Sequence, residues 1–276
     1  MKKVAVINDL SGFGKCSLTA AIPIISVMGA EAHPLPTAVL SNQTAYDSYK
    51  CLSLTDTIMP FAYEWKKLGA HFDVVLTGFA TDENQLDKII ESVRLLKDND
   101  TALVVDPVMA DNGSFYDGYN MQMCHKVREL CYMADVITPN ISELFYIADM
   151  EYSENIGDIR KCAAKLRQGG IKNIVVTGYK SDDNISNIVF TDKGETIFTA
   201  KLCGGYFSGT GDILSSIVAA GASKGMELAE SVRLATEFIS LCAENTNTEN
   251  CNDGVEFERF LYRLIDELKA DEEIEK

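Results

Sequence analysis

Short apolar runs alternate with longer segments of helical periodicity along most of the chain. The runs are rich in β-branched residues, as buried strands are, and lie at residues 4–7, 74–76, 103–105, 136–138 and 174–176. After the second run, apolar residues recur at the spacing of one helix face, at Leu86, Ile89, Ile90, Val93 and Leu96. We therefore predict a helix that begins near Thr81-Asp82, and an α/β fold built from βαβ units around a mainly parallel sheet.

The second half of the chain has a different texture. Residues 188–190 and 196–198 flank Asp192-Lys193-Gly194 and predict an antiparallel hairpin within residues 185–201. Three helical stretches follow, at about 210–224, 227–245 and 255–269, and the charged residues 271–276 are expected to form a frayed, solvated tail. No repeat or change in composition divides the chain, so residues 1–276 are predicted to form a single domain.

Composition and charge narrow the function. The chain has 276 residues, of which 46% are hydrophobic and 24% charged, enough to bury a large core. Its formal charge of −16 argues against nucleic acid or an anionic membrane as a partner, because both would be approached against repulsion. An anionic substrate would need local help from backbone amides, lysines or a metal ion.

The cysteines and the N-terminus bear on location. The eight cysteines show neither CxxC spacing nor a Cys/His cluster, which predicts reduced, mostly buried thiols in a cytosolic protein and argues against zinc. The apolar run at 4–7 is too short for a secretory signal, and no apolar stretch approaches the about 18 residues of a membrane span. We therefore expect a cytoplasmic protein without a membrane segment.

The motif Gly209-Thr210-Gly211-Asp212 precedes an apolar periodic stretch that predicts a helix. Its glycines allow the backbone to turn sharply, and the unpaired N–H groups of the helix start attract an anion. A carboxylate beside an anion site favours a base that takes a proton from an acceptor hydroxyl during phosphoryl transfer. The alternative is that Asp212 only caps the helix.

Polar residues follow the predicted strands, where open α/β sheets bind ligands. Asp106 ends one strand and Asp111 lies in the loop beyond it, which suits Mg²⁺ or a hydrated, capped loop. Asn140 and Glu143 follow the next strand. Glu143 can serve as a helix N-terminal acid or reach a metal-bound water, while Asn140 can reach a phosphate or another metal-bound water. Thr177 ends a further strand, where a nucleotide would lie.

The first predicted strand ends in a glycine-containing loop at residues 8–15. The loop has neither the Walker P-loop pattern nor GxGxxG spacing. A tight strand-to-helix connection and a ligand contact are both compatible with it.

Taken together, these motifs resemble the ribokinase-like superfamily, and specifically its vitamin B6 kinase branch. The resemblance spans essentially the whole chain and depends on four segments: Ser41-Asn42-Gln43-Thr44-Ala45-Tyr46, Asp106-Pro107-Val108-Met109, Thr138-Pro139-Asn140-x-x-Glu143 and Gly209-Thr210-Gly211-Asp212. It implies a three-layer fold with helices on both faces of the sheet. It also implies phosphorylation of the 5′-hydroxymethyl group of pyridoxal, pyridoxamine or pyridoxine by ATP with Mg²⁺, and a homodimer; a monovalent-ion requirement stays open.

The resemblance also implies roles for individual residues. The catalytic group comprises Asp212 as base, with Gly209, Thr210 and Gly211 as the anion hole. The ATP-binding group comprises Thr138, Asn140, Thr177 and Thr210. The acidic metal positions are Asp106, Asp111 and Glu143. The substrate-binding group comprises Asp9, Ser11, Thr44, Phe79 and Asp212.

The chain departs from the family pattern at several positions. Residues 8–11 differ from the mammalian-type sequence, so the ring contact is open between Asp9 and Ser11. Phe79 stands where many relatives carry Tyr, which keeps ring stacking but loses a hydroxyl. Two rival functions remain: a hydroxymethylpyrimidine (phosphate) kinase, which shares the strand-end motifs, and a B6-vitamer binding protein without catalysis. An intact Asp212 argues against the binding protein.

Overall fold

The computed structural model describes residues 1–265. Its strands are β1 (Lys2–Ser11), β2 (Ala30–Leu40), β3 (Cys51–Ser53), β4 (Val74–Thr77), β5 (Ala102–Val105), β6 (Ala110–Asp111), β7 (Ser114–Phe115), β8 (Val136–Ile137), β9 (Asn173–Ser181), β10 (Asn184–Thr191) and β11 (Gly194–Lys201). Its α-helices are α1 (Ser17–Val27), α2 (Thr55–Lys67), α3 (Glu83–Leu96), α4 (Met121–Met133), α5 (Ile141–Ala148), α6 (Ile156–Gln168), α7 (Thr210–Lys224) and α8 (Leu228–Glu244). Short 3₁₀ helices follow at Thr248–Asp253 and Phe257–Phe260.

The main sheet has nine strands in the order β11-β10-β9-β8-β5-β4-β1-β2-β3. The strands from β9 to β2 in that order are parallel, whereas β3, β10 and β11 pair antiparallel to their neighbours. β6 and β7 form a separate small hairpin. The predicted mainly parallel sheet is therefore confirmed, and the hairpin predicted within residues 185–201 is β10–β11.

Two apolar cores lie on the two faces of this sheet. Ala5 and Ile7 of β1 belong to the core that α2 to α6 cover, while Val4 and Val6 belong to the core under α1, α7 and α8. All four side chains are fully buried because both faces of β1 are covered. The sheet thus lies between two helical layers, as the family resemblance implies.

Local signals set the helix boundaries. The Asp82 side chain caps α3 by accepting a hydrogen bond from the Gln85 backbone N–H at 2.9 Å, which confirms the predicted start near Thr81-Asp82. The predicted helix at 210–224 coincides with α7, and that at 227–245 with α8 to within a residue at each end. The third predicted helix, 255–269, is wrong at its start, where the 3₁₀ helix Phe257–Phe260 precedes helical residues 261–265.

Other predictions differ from the structure, concern residues outside the described part of the chain, or are not tested by it. β2 was not predicted, because Pro34 and Pro36 interrupt its apolar pattern. Thr138 follows β8 rather than ending it. The end of the third predicted helix and the tail at 271–276 lie outside the described residues, and the single domain stays a prediction. Within residues 1–265, no helix combines the length and apolar character that crossing a membrane requires.

The strand order changes direction beside β1. β1 lies between β4 and β2, and its pairing with β4 ends at Ile7 and Thr77. Its pairing with β2 continues to Ser11 and Leu40. The end of β1 therefore extends past β4, at a switch point of the strand order. Such points are where open α/β sheets bind ligands.

Candidate active site

A glycine turn begins α7 at the carboxyl edge of the sheet. Gly209 is the N-cap of α7 and has a φ of +80°. A Cβ at this position would lie 2.0 Å from the Lys15 backbone oxygen, so the close approach of the two loops requires glycine. The unpaired N–H groups of the first turn of α7 and the positive end of its dipole make this turn a site for an anion.

Asp212 lies in the first turn of α7 and is partly buried. Burial raises the pKa of its carboxyl from 3.8 to about 6, and the charge of Asp9 acts in the same direction. Hydrogen bonds from the Ser17 backbone N–H and the Asn8 side chain lower the pKa. The carboxyl is thus mostly ionised at pH 7 but much closer to protonation than an exposed aspartate, which suits a general base.

Asp106 and Glu143 are buried carboxylates on the other side of the turn. Burial and the charge of Asp212 raise the pKa of Asp106 to about 8, while a hydrogen bond from Ser215 lowers it. Burial, and then the charge of Asp106, raise the pKa of Glu143 well above its usual value. Burial is therefore the main cause of both shifts, and the charge of a neighbouring carboxylate adds to each.

Glu143 also has a structural role. Its Oε2 accepts from the Asn140 backbone N–H at 2.9 Å, and the Asn140 Oδ1 accepts from the Glu143 N–H at 3.0 Å, which forms a capping box. Its Oε1 accepts from the Met109 N–H at 3.1 Å. The helix-terminal alternative for Glu143 is therefore correct, and a role towards a metal-bound water stays a prediction.

The donor set fits Mg²⁺. Among residues 1–265, no three or more His, Cys, Asp or Glu side chains are grouped as ligands for a metal ion. Mg²⁺ needs no such group, because it keeps several waters and binds one or two carboxylates together with substrate phosphates. Asp106 and Glu143 supply two such carboxyl groups, and a cation beside them would lower their raised pKa values. Asp111 holds the β6–β7 turn by accepting from the Asn112 backbone N–H at 2.8 Å.

A cleft of about 350 Å³ joins these groups to the ends of β8 and β9. It brings together the predicted catalytic, ATP-binding and metal residues: Asp106, Asp111, Thr138, Asn140, Glu143, Thr177, Gly209, Thr210, Gly211 and Asp212. Sequence positions that are far apart therefore converge on one cleft, as the strand-end argument predicts.

The hydroxyl and amide groups of this cleft differ in whether they are free to form a hydrogen bond with a ligand. The Thr138 Oγ1 is buried and has no hydrogen-bond partner among the described residues. The Asn140 side chain is committed to structure, since its Nδ2 donates to the Ala110 backbone oxygen at 2.7 Å and its Oδ1 caps α5. Thr177 lies beside Pro139, to whose backbone oxygen its N–H donates at 2.9 Å, and it lines the cleft. Thr138 is the group whose burial calls for a ligand.

The predicted vitamer-side residues lie outside that cleft: Asp9, Ser11, Thr44 and Phe79 are not in its lining among the described residues. Asp9 is buried and accepts a hydrogen bond from Ser11 Oγ at 3.0 Å. Burial raises the pKa of its carboxyl, while hydrogen bonds from Ser17 and Ser11 lower it by less. Thr44 is exposed. The rings of Phe79 and Tyr119 lie 6.3 Å apart. Ring contacts of these residues stay predictions.

Two residues that contact the glycine turn or Asp212 were not assigned a role by the sequence argument. Asn8 donates to Asp212, although its position at the end of the first apolar run could have singled it out. Gln43 is buried, and its Nε2 donates to Ser208 Oγ at 3.2 Å and to the Asn252 oxygen at 2.8 Å. It thereby ties the 41–46 segment to the glycine turn. Contacts between such distant residues leave no periodic signal in the sequence.

The chain belongs to the phosphomethylpyrimidine kinase family, whose model matches residues 18–256. It is 29% identical to the pyridoxal kinase of Dictyostelium discoideum over 87% of this chain and 82% of that protein. A crystal structure of a protein described as a phosphomethylpyrimidine kinase from Bacteroides thetaiotaomicron, in a form with pyridoxal, is 33% identical with a TM-score of 0.90 over 95% of both chains. The pyridoxal kinase of Lactobacillus plantarum is 26% identical, with a TM-score of 0.85 over 96% of this chain and 97% of that one. The resemblance to the B6 branch of the ribokinase-like kinases is confirmed.

Proposed function

We propose that this kinase transfers the γ-phosphoryl group of ATP to the 5′-hydroxymethyl group of pyridoxal, pyridoxamine or pyridoxine. The observation that carries the proposal is Asp212, a partly buried carboxylate in the first turn of α7, directly after an anion-binding glycine turn. Two relatives of the chain are named pyridoxal kinases, and the structure of a third relative was obtained with pyridoxal. A protein that only binds a vitamer needs no base at this position.

The chemistry follows from the placement of the groups. Asp212 accepts the proton of the acceptor hydroxyl as its oxygen attacks the γ-phosphorus, and the bond from that phosphorus to the β,γ-bridging oxygen breaks. The N–H groups of residues 209–211 stabilise the charge on the transferred group. Asp106 and Glu143 would hold Mg²⁺, directly or through water, and the ion would neutralise phosphate charge. Thr138 and Thr177 contact the nucleotide side.

The family name favours hydroxymethylpyrimidine, or its phosphate, as a second candidate acceptor. The phosphorylated pyrimidine would bring a second dianion close to Asp212 and Asp9, whose mutual repulsion already raises the pKa of Asp212. The structure therefore favours an acceptor without a phosphate, and the unphosphorylated pyrimidine is the serious rival.

One experiment tests the proposal: ADP release in a coupled assay with pyridoxal, pyridoxamine, pyridoxine, hydroxymethylpyrimidine or its phosphate as acceptor. We expect turnover with at least one vitamer at a higher kcat/KM than with either pyrimidine. A higher kcat/KM for a pyrimidine would transfer the assignment to the rival kinase. Binding of a vitamer without turnover of any acceptor would favour the binding protein.

Two finer properties, the cytoplasmic location and the homodimer, are part of the proposal. The cytoplasmic location agrees with eight cysteines that include no disulfide among the described residues. The homodimer derives from the family resemblance alone, and a monovalent-ion requirement stays open. Light scattering of the purified protein, and activity in sodium, potassium and tetramethylammonium buffers, test these last two properties.

A further inference from the structure

Asn8 occupies the switch point of the sheet. It follows the last residue of β1 that pairs with β4, and only 4% of it is exposed. Its neighbours are the loop after β4 on one side and the first turn of α7 on the other, because it contacts both Phe79 and Asp212. A buried amide at such a place needs hydrogen bonds for its donors and its acceptor.

The orientation of the Asn8 amide follows from its partners. Its Oδ1 accepts from the Asp9 backbone N–H at 3.0 Å and from the Phe79 backbone N–H at 2.9 Å. A flipped amide would set its NH₂ group against these two donors, so this orientation is determined by the network. The Nδ2 therefore faces Asp212 and donates to its Oδ1 at 3.1 Å.

Gly78 makes room for this amide. A Cβ at Gly78 would lie 2.6 Å from Asn8 Nδ2 and 2.7 Å from both Cγ and Oδ1. These distances are far below van der Waals contact, and all three atoms belong to an amide that is held by backbone donors. A side chain at residue 78 would therefore displace the Asn8 amide from Asp212.

We infer that Asn8, seated against Gly78, is a positioning residue that holds the Asp212 carboxylate in the orientation needed to take the acceptor proton. This inference rests on the proposed role of Asp212 as base. The amide is fixed at one end by two backbone N–H groups, so its other end presents a donor at a set place. A carboxylate bound to a fixed donor loses rotational freedom and is preorganised for proton transfer.

The first test replaces the donor and keeps the shape. Asn8→Asp retains an oxygen for the two backbone N–H groups but presents an acceptor to Asp212. We expect kcat to fall about 10- to 150-fold, the equivalent of the about 1.5–3 kcal/mol of a hydrogen bond to a charged group, with the KM for ATP unchanged. Asn173→Asp is the matched control, because Asn173 donates to the Asp135 oxygen at the opposite edge of the sheet. A wild-type kcat in Asn8→Asp would overturn the inference.

The second test separates positioning from a general structural effect. Gly78→Ala should lower kcat by a similar factor in the wild-type background and have almost no further effect in Asp212→Asn, where no base is left to orient. Equal losses in both backgrounds would show that residue 78 acts independently of Asp212 and would overturn the inference. Thermal unfolding and titration with ADP check that each variant is folded. If only one of Asn8→Asp and Gly78→Ala folds, that variant alone tests the inference.

The two tests also separate this inference from the proposed function. If the wild type phosphorylates only hydroxymethylpyrimidine, the vitamer assignment fails, but Asp212 and Asn8 can still be tested with that acceptor. If Asp212→Asn retains full activity, the base assignment fails first. The comparison of Gly78→Ala in the two backgrounds then gives equal losses.

Discussion

Replacement of Asp212 by Asn tests the central chemical assignment. Asparagine has the same shape and can still accept the hydrogen bond from the Asn8 amide that the Asp212 Oδ1 accepts at 3.1 Å. It cannot take a proton from the acceptor. We therefore expect kcat to fall about 10²- to 10⁴-fold, the usual contribution of a general base, while nucleotide affinity changes little.

The pH dependence gives a second readout. The pKa of Asp212 is raised from 3.8 to about 6, so activity of the wild type should rise as pH increases through about 6 and level off above about 7. This acid limb should be absent in Asp212→Asn, whose residue 212 does not titrate. Initial rates of the wild type and of Asp212→Asn from pH 5 to 9, with saturating ATP, measure whether the acid limb is present.

The same shift predicts a change in stability. The pKa of Asp212 is higher in the folded than in the unfolded state, so folding favours the neutral carboxyl. Its contribution to the free energy of unfolding is fully present below pH about 4 and is lost as pH rises through about 6. A difference of about 2 pH units corresponds to at most about 3 kcal/mol. Asp212→Asn should therefore be more stable than the wild type at pH 7 and about equal to it at pH 4, as measured by urea unfolding.

The control for these measurements is Asp192→Asn, which makes the same change at an exposed residue of the β10–β11 turn. It should leave the kcat, the acid limb and the stability difference as in the wild type. A wild-type kcat in Asp212→Asn, or an acid limb near pH 6 that survives in it, would refute the base assignment. A variant that is less stable at pH 7 would refute the burial argument.

Three further outcomes are expected. Gly209→Ala should lower kcat and should also lower the free energy of unfolding by more than the about 1 kcal/mol that a positive φ costs, because its Cβ would lie 2.0 Å from a backbone oxygen. Gly225→Ala is the control: its φ is +78° with open space around it, so urea unfolding should show only the cost of the positive φ. Asp106→Asn and Glu143→Gln should each raise the Mg²⁺ concentration for half-maximal activity about 10-fold or more, and an unchanged Mg²⁺ titration would make both residues purely structural. Thr138→Val should raise the KM for ATP without loss of stability in thermal unfolding, because the hydroxyl it removes is buried without a partner among the described residues.

The sequence predicted those parts of the fold that leave a periodic signal. β4, β5, β8 and β9 were found from short β-branched runs because parallel strands are covered on both faces and are apolar throughout. β2 was missed because Pro34 and Pro36 lie within it. The contacts of Asn8 and Gln43 could not be predicted from the sequence, since their partners lie 204 and 165 residues away. Such contacts are created by the topology and are visible only in the folded chain.

The segment at 41–46 shows where a motif and its geometry differ. The resemblance gave the ring contact to Thr44, which is exposed, whereas its neighbour Gln43 is buried against Ser208 next to the glycine turn. If Thr44 binds the ring, Thr44→Val should lower kcat/KM for the vitamer about 5- to 150-fold, corresponding to about 1–3 kcal/mol, with the KM for ATP unchanged. Equal vitamer affinities of Thr44→Val and the wild type in calorimetry would remove Thr44 from the site.

The negative charge of the chain bears on how the proposed site would bind phosphate groups. In the proposed site, a protein with a formal charge of −16 would bind an anionic nucleotide next to Asp106, Glu143 and Asp212, all of which have raised pKa values. Favourable potential is therefore supplied locally. The backbone N–H groups of the glycine turn would provide it, the exposed Lys180 and Lys201 line the same cleft, and Asp106 and Glu143 would hold a cation that arrives with the nucleotide. Nucleotide binding should therefore weaken as Mg²⁺ is removed, because the amides of the glycine turn and the two lysines would then offset the phosphate charge alone; titration with ADP at falling Mg²⁺ concentrations measures this.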